Sequence, residues 1–192
     1  MRDGSVWETR VSVNDAEAIE RSLSDGVAFA GVFDRHYSAI HRFLSGRVGP
    51  DLADDLSSET FAVAFRRRAT YNLLREDARP WLFGIAANLL RDHRRSEERR
   101  LRAYSRAGTG LVESEEVGPR LEGPVALALL ALSVEERNLI LLYAWGELSY
   151  EQLAEAFSLP VGTVRSRLFR IRDKLRARLA LPEAAVVGGE PL

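Results

Sequence analysis

Cysteine is absent from the 192-residue chain, which excludes disulfides and thiolate metal sites and fits a reducing compartment. Histidine is scarce: His36, His41 and His93 are the whole set. His36 and His41 are five residues apart and do not stack on one helical face, so no metal site is expected and both read as structural. No stretch stays apolar for the roughly 18 residues that a bilayer crossing needs. The opening MRDGSVWETR has no long apolar core, which argues against a secretory signal. There is also no Gly-rich phosphate loop and no His–carboxylate constellation at site-like spacing. An enzyme is therefore the least supported class. No cofactor, membrane insertion or small-molecule substrate is expected.

What is present is charge in blocks. The formal net charge is only −1, in a chain that is 46% hydrophobic and 29% charged, a balance suited to a folded protein that does not span a membrane. From Phe61 to Arg102 eleven arginines face five acids, and from Val161 to Leu179 seven bases face Asp173 alone. Acids lead from Met1 to Asp34 and again from Ala107 to Pro124. Two basic modules separated by an acidic linker fit two contacts on one polyanion. The bland alternative is a pair of solvated helices.

Residues 1–25 are polar and weakly patterned, although Asn14 and Asp15 suit a helix start. Phe29, Val32, Phe33, Tyr37, Ile40, Phe43 and Leu44 recur at helical steps. Gly49-Pro50 ends that helix and opens another, with Leu52, Leu56, Phe61, Ala64 and Phe65 as core or contact residues and Asp54, Asp55 and Glu59 outside. A polar interruption follows, carrying Arg67, Tyr71 and Asn72. The next helix, predicted over Pro80 to about Ser96, places Trp81, Leu82, Ile85, Ala86 and Leu89 on an apolar arc. Gly84, Asn88, Arg91 and Arg95 fall on the other side. After Arg99 the pattern decays, and a linker is predicted from about Ala103 to Pro124.

A second helical body begins with VALALLALS. Ser133–Glu136 and Ser149–Gln152 have capping-box form. The pair of helices around SLP has helix-turn-helix spacing. In the second of them Val164, Leu168, Ile171 and Leu175 form a narrow apolar stripe. Arg165, Ser166, Phe169 and Arg170 lie off it, and an aromatic among cations suits contact with a groove. Ser158 stands at the turn, where a positive φ would strain it. The fold class read here is all-α: two small helical domains over 26–102 and 125–180, an extension over 1–25, a flexible linker over 103–124 and a tail over 181–192.

DDLSSETFAVAFRR followed by RPWLFGIAANLLRDHRR is very similar to the second conserved region of bacterial sigma factors of the extracytoplasmic-function group. PVGTVRSRLFRIRDKL is very like the fourth region of the same family. The resemblance covers about residues 26–102 and 125–179. It implies binding to the RNA polymerase core at its clamp and flap, through Asp54, Asp55, Leu56, Glu59 and Phe61 at the clamp. It implies capture of the promoter −10 element by Arg67, Tyr71, Asn72, Ile85, Asn88, Arg91, Arg94 and Arg95. It implies reading of the −35 duplex by Arg165, Ser166, Phe169 and Arg170 with Thr163 beside them. An anti-sigma factor partner and a cytoplasmic location are further implications. REDAR before Pro80 departs from the Gly-Asp pair of many relatives, as Ser158 does from a turn Gly. The rival reading is a stand-alone helix-turn-helix regulator, which would use only the second body and bind duplex without polymerase.

Overall fold

A computed structural model describes residues 14–106, 123–146 and 148–180. Among these, all regular structure is helical and there is no strand. The first unit starts with α1 (Asp15–Ser22), whose cap Asn14 accepts from the Glu17 N–H at 2.9 Å. A 3₁₀ turn at Gly26–Phe29 leads into α2 (Ala30–Val48). Gly49, at φ 80°, reverses the chain, and Pro50 fills the first position of α3 (Pro50–Arg67). That division of labour follows from glycine's freedom at positive φ and proline's fixed φ. The connection from Arg68 to Ala78 then delivers α4 (Arg79–Arg106).

The core of this unit is built from the predicted stripes. Val32, Ile40 and Leu44 of α2, Ala53 and Ala64 of α3, and Leu82, Ala86 and Leu90 of α4 are essentially sealed from solvent. Each large apolar side chain buried in this way contributes about 2 kcal/mol. Ile19 of α1 is equally sealed, so a helix from the expected extension is part of the bundle. α4 continues ten residues past the predicted Ser96, and ion pairs Glu97–Arg100 and Glu98–Arg102 line its exposed surface there. The predicted linker start at Ala103 is thus helical. The remainder of the linker falls on residues outside the described ones, as does the tail.

The second unit comprises α5 (Pro124–Leu130), α6 (Val134–Ala144), α7 (Tyr150–Phe157) and α8 (Val161–Leu179). Both predicted capping boxes form, at Ser133–Glu136 and Ser149–Gln152. Leu142, Leu153, Val164, Leu168 and Ile171 make the core. At the α7–α8 turn Ser158 adopts φ 52°, ψ 46°, the one non-glycine residue with positive φ among those described. The Leu159 N–H donates to the Ala154 carbonyl at 2.9 Å and closes the turn.

The two units pack directly on each other, which hydrophobic periodicity gave no reason to expect. α4 crosses α7 so closely that a Cβ on Gly84 would lie 2.5 Å from the Ala156 carbonyl oxygen. Polar contacts bridge the same seam. Arg79 donates to the Gly146 carbonyl at 2.6 Å, Gln152 to Asp77 at 3.1 Å and Arg47 to Asn138 at 3.1 Å.

Candidate nucleic-acid interface

The connection before α4 is held from within the protein. Asp15 is the anchor: its Oδ1 accepts from Arg35, and its Oδ2 accepts from the Ala78 N–H at 2.8 Å and lies 2.6 Å from His36 Nε2. The Asp15 N–H donates in turn to the Glu76 carbonyl. Burial alone would raise the Asp15 pKa, but the bonds from His36, Ala78 and Arg35 outweigh it and hold the carboxyl below its ordinary range. Asp15, His36 and Asp77 offer ligand atoms within 4.8 Å of one another. Yet Asp77 already accepts from the Arg79 N–H and from Gln152. The cluster therefore reads as a hydrogen-bond network that positions the loop, and His36 has the structural role expected of it.

Tyr71 has a different place from the one its sequence context implied. It is 7% exposed, its ring lies 5.0 Å from that of Trp81, and its hydroxyl donates to the Arg75 carbonyl at 2.7 Å. Burial is the main cause of its raised pKa. In this arrangement Tyr71 is a core residue of the loop and offers no face to a base. Asn72 is exposed, with Oδ1 accepting from the Leu74 N–H, and Leu74 beside it is 90% exposed. Arg67 is exposed at the end of α3.

Along α4, Asn88 and Arg95 face solvent, Arg91 and Arg94 are half-buried, and Ile85 is buried. Arg94 points back to the Arg47 carbonyl, at 3.4 Å. Gly84 does not share the open face predicted for it; α7 covers it. Arg91 lines a cavity of about 700 Å³ opposite Arg167, Arg170 and Lys174 of α8. Glu135 and Glu136 share this lining, and Glu136 pairs with Lys174 at 2.6 Å.

On α8, Arg165, Ser166 and Arg170 are exposed and Thr163 is half-buried. Phe169 is 62% exposed, so the aromatic stands among cations with no core to serve. Arg165 approaches Glu151 at 3.8 Å, and Arg170 Nε donates to the Ser166 carbonyl at 3.3 Å.

On α3 the acids and the apolar residues separate. Asp54, Asp55 and Glu59 are exposed. Asp54 is 3.0 Å from His41 and accepts from the Tyr37 hydroxyl, and Glu59 pairs with Arg66 at 2.7 Å. Leu56 and Phe61, expected to meet the polymerase, are 8% and 5% exposed. Phe61 packs edge-on to Phe33 at 4.8 Å. Both belong to the bundle core, because an amphipathic helix spends its apolar positions inward.

Comparison with known proteins matches both units in order. The Sigma-70 region 2 family model matches residues 32–100, and the Sigma-70, region 4 model matches residues 123–175. The ECF RNA polymerase sigma factor SigC of Mycobacterium tuberculosis is 30% identical over 165 residues, covering 84% of this chain and 89% of the relative. The fold is similar to that of the sigma factor RpoE of Bartonella quintana, solved with the anti-sigma factor NepR: TM-score 0.60, 24% identity, 81% of this chain and 98% of that one. It is also similar to CnrH, solved in complex with the cytosolic domain of CnrY: TM-score 0.59, 26% identity, 86% of this chain and 96% of that one. A stand-alone regulator would account for the second unit and leave the first unexplained. The chain belongs to the extracytoplasmic-function group of RNA polymerase sigma factors, which bind core polymerase and promoter DNA to start transcription and are not catalysts themselves.

Proposed function

We propose that the two units divide promoter recognition between them. The exposed acids Asp54, Asp55 and Glu59 of α3 dock on the polymerase clamp, and the second unit seats on the flap. The exposed end of α3 and the face of α4, with Arg67, Asn72, Asn88 and Arg95, capture unpaired bases and backbone of the −10 element. Ile85 backs that surface from within. Arg91 and Arg94 join it as phosphate contacts once the units separate, so they supply much of the salt dependence. Unstacking costs a few kcal/mol per base; stacking and backbone contacts of similar size offset it. α8 enters the −35 major groove with Arg165, Ser166, Phe169 and Arg170, and Thr163 contacts the backbone beside them. All of this is recruitment and strand opening, with no covalent step.

The observation that carries this reading is Phe169, exposed among Arg165, Ser166 and Arg170 on the second helix of a helix-turn-helix pair. The test is promoter-dependent transcription with core polymerase on templates with matched and altered −35 sequences. Arg170→Ala should reduce the discrimination between them by about 1–3 kcal/mol. Undiminished discrimination in both Arg170→Ala and Arg165→Ala would remove α8 from −35 reading.

Activity is held in check by an anti-sigma factor. Val125, Leu127 and Leu130, which leave α5 apolar and exposed, support such a partner. The protein acts in the cytoplasm, where polymerase and promoter meet.

A further inference from the structure

Promoter recognition makes no use of Arg47. It sits in the last turn of α2, 3% exposed, with its guanidinium stacked 3.8 Å from the Phe43 ring centroid. Nε donates to Asn138 across the seam between the units, and Nη1 donates to the Phe43 carbonyl. Nη2 is buried and has no hydrogen-bond partner. Burial first, then repulsion from Arg94 and Arg137, pulls the group down to about 9. It remains cationic near neutrality. No described carboxylate pairs with Arg47. A buried charge without a counter-charge is strongly unfavourable.

Arg47 also lines a cavity of about 440 Å³ between α2, α4 and α6. Arg42 and Arg79 stand on its walls, Phe43, Phe83 and Leu141 give it apolar sides, and Trp145 is 61% exposed beside it. None of the described lining residues is acidic. Guanidinium groups recognise carboxylate and phosphate through charge-assisted bonds, and a mostly apolar cleft with a few convergent polar groups suits a small molecule.

We propose that this cavity binds a small organic anion, a carboxylate or phosphate ester on an aromatic or branched apolar body, and that its occupancy holds the two units together. The anion supplies the charge that Arg47 lacks. Because the walls come from both units, the ligand binds the packed arrangement and not the separated one, so it shifts the balance toward packing. The binding claim is independent of how the promoter is read. The consequence for transcription rests on that reading.

The test uses the full chain at constant ionic strength, with phenyl phosphate and benzoate as probes, inorganic phosphate as the bare anion and benzyl alcohol as the neutral control. Calorimetry should detect both aromatic anions, inorganic phosphate more weakly and benzyl alcohol not at all. The thermal midpoint should rise in the same order. Arg47→Met should weaken phenyl phosphate at least about tenfold, the loss of a charge-assisted contact. It should also raise the midpoint of the unliganded protein, because the uncompensated charge is gone. Arg42→Gln, at an exposed position, should weaken binding with no change in folding. Glu147 follows Gly146 in the chain and lies outside the described residues, so Glu147→Gln checks it as a rival counter-charge and should leave binding unchanged. Equal binding to wild type, Arg47→Met and Arg42→Gln would overturn the site, as would binding that appears only in Glu147→Gln. Dyes on introduced cysteines in α2 and α8 should report closer units at saturating phenyl phosphate. Binding with no such response would overturn the clamp while leaving the promoter reading untouched.

Discussion

Asp15 shows how one residue outside the matched family regions shapes a surface inside them. It ties α1 to α2 through Arg35 and His36 and to the loop before α4 through the Ala78 N–H. Its folded pKa lies below the ordinary value of 3.8. The stability it contributes is therefore complete above about pH 4 and is lost as pH falls through the folded value. Thermal unfolding followed from pH 7 to pH 2.5 should show that loss in the wild type. Asp15→Asn should flatten the acid limb and lower stability at neutral pH by about 3 kcal/mol, because it breaks a buried pair. An unchanged acid limb would assign the effect to other carboxylates. Ser158 makes a complementary residue-scale case. Its αL conformation costs a side chain about 1–2 kcal/mol, partly offset because glycine has more unfolded-state freedom to lose. Ser158→Gly should raise stability by about 0.5–1 kcal/mol in denaturant unfolding and leave −35 selectivity alone.

At the scale of elements, the crossing of α4 and α7 sets opposing effects against each other at Gly84. Alanine there favours an isolated helix by about 1 kcal/mol. In the packed arrangement the new Cβ would lie 2.5 Å from a backbone oxygen, an overpacking worth about 1–3 kcal/mol. Gly84→Ala should therefore move dyes on α2 and α8 apart, and Gly84→Leu should do so further. If neither substitution changes the distance, the units do not pack through this crossing in solution. The same crossing marks the boundary of what the sequence makes legible. Apolar stripes, the Gly49-Pro50 break, both capping boxes and the Ser158 turn depend on neighbours a few residues away, so periodicity and residue type expose them. The open face assigned to Gly84, Asn88, Arg91 and Arg95 has the right period, but the partner that covers Gly84 lies some seventy residues on. The place of Tyr71 was hidden for a related reason. A polar loop with an aromatic looks like a base-stacking loop, and only the placement of Trp81 and the Arg75 carbonyl makes that ring a core residue. Leu56 and Phe61 carried both readings in the sequence, core and contact; both are buried here, Phe61 against Phe33 of α2. No pattern pointed to Arg47, since its partner Asn138 is 91 positions away.

For the whole molecule, the proposed division of promoter recognition requires the packed arrangement described here to open. Arg91 shares one open cleft with Arg167 and Arg170, whereas the −10 and −35 elements lie apart along the DNA. Arg75–Glu155 at 3.5 Å, Gln152–Asp77 and Arg79–Gly146 hold the seam. These polar links are partly exposed, but the seam also holds the buried Arg47–Asn138 bond and the close α4–α7 crossing at Gly84, so opening it requires partners that bind the separated units. Polymerase and promoter, by binding the separated units, shift the same equilibrium in the opposite direction. The absence of cysteine makes this directly testable, because Asp77→Cys with Gln152→Cys is then the sole thiol pair. Joining the two with a short, cleavable bis-maleimide should abolish promoter-dependent transcription with core polymerase, and cleaving the tether should restore it. The uncrosslinked double variant, which loses the Asp77 bond to the start of α4 and the Gln152 capping box, sets the reference activity against which the tether is read. If the tethered protein initiates as well as the untethered one, the packed form is the working form, and the division of −10 and −35 reading between separated units is wrong.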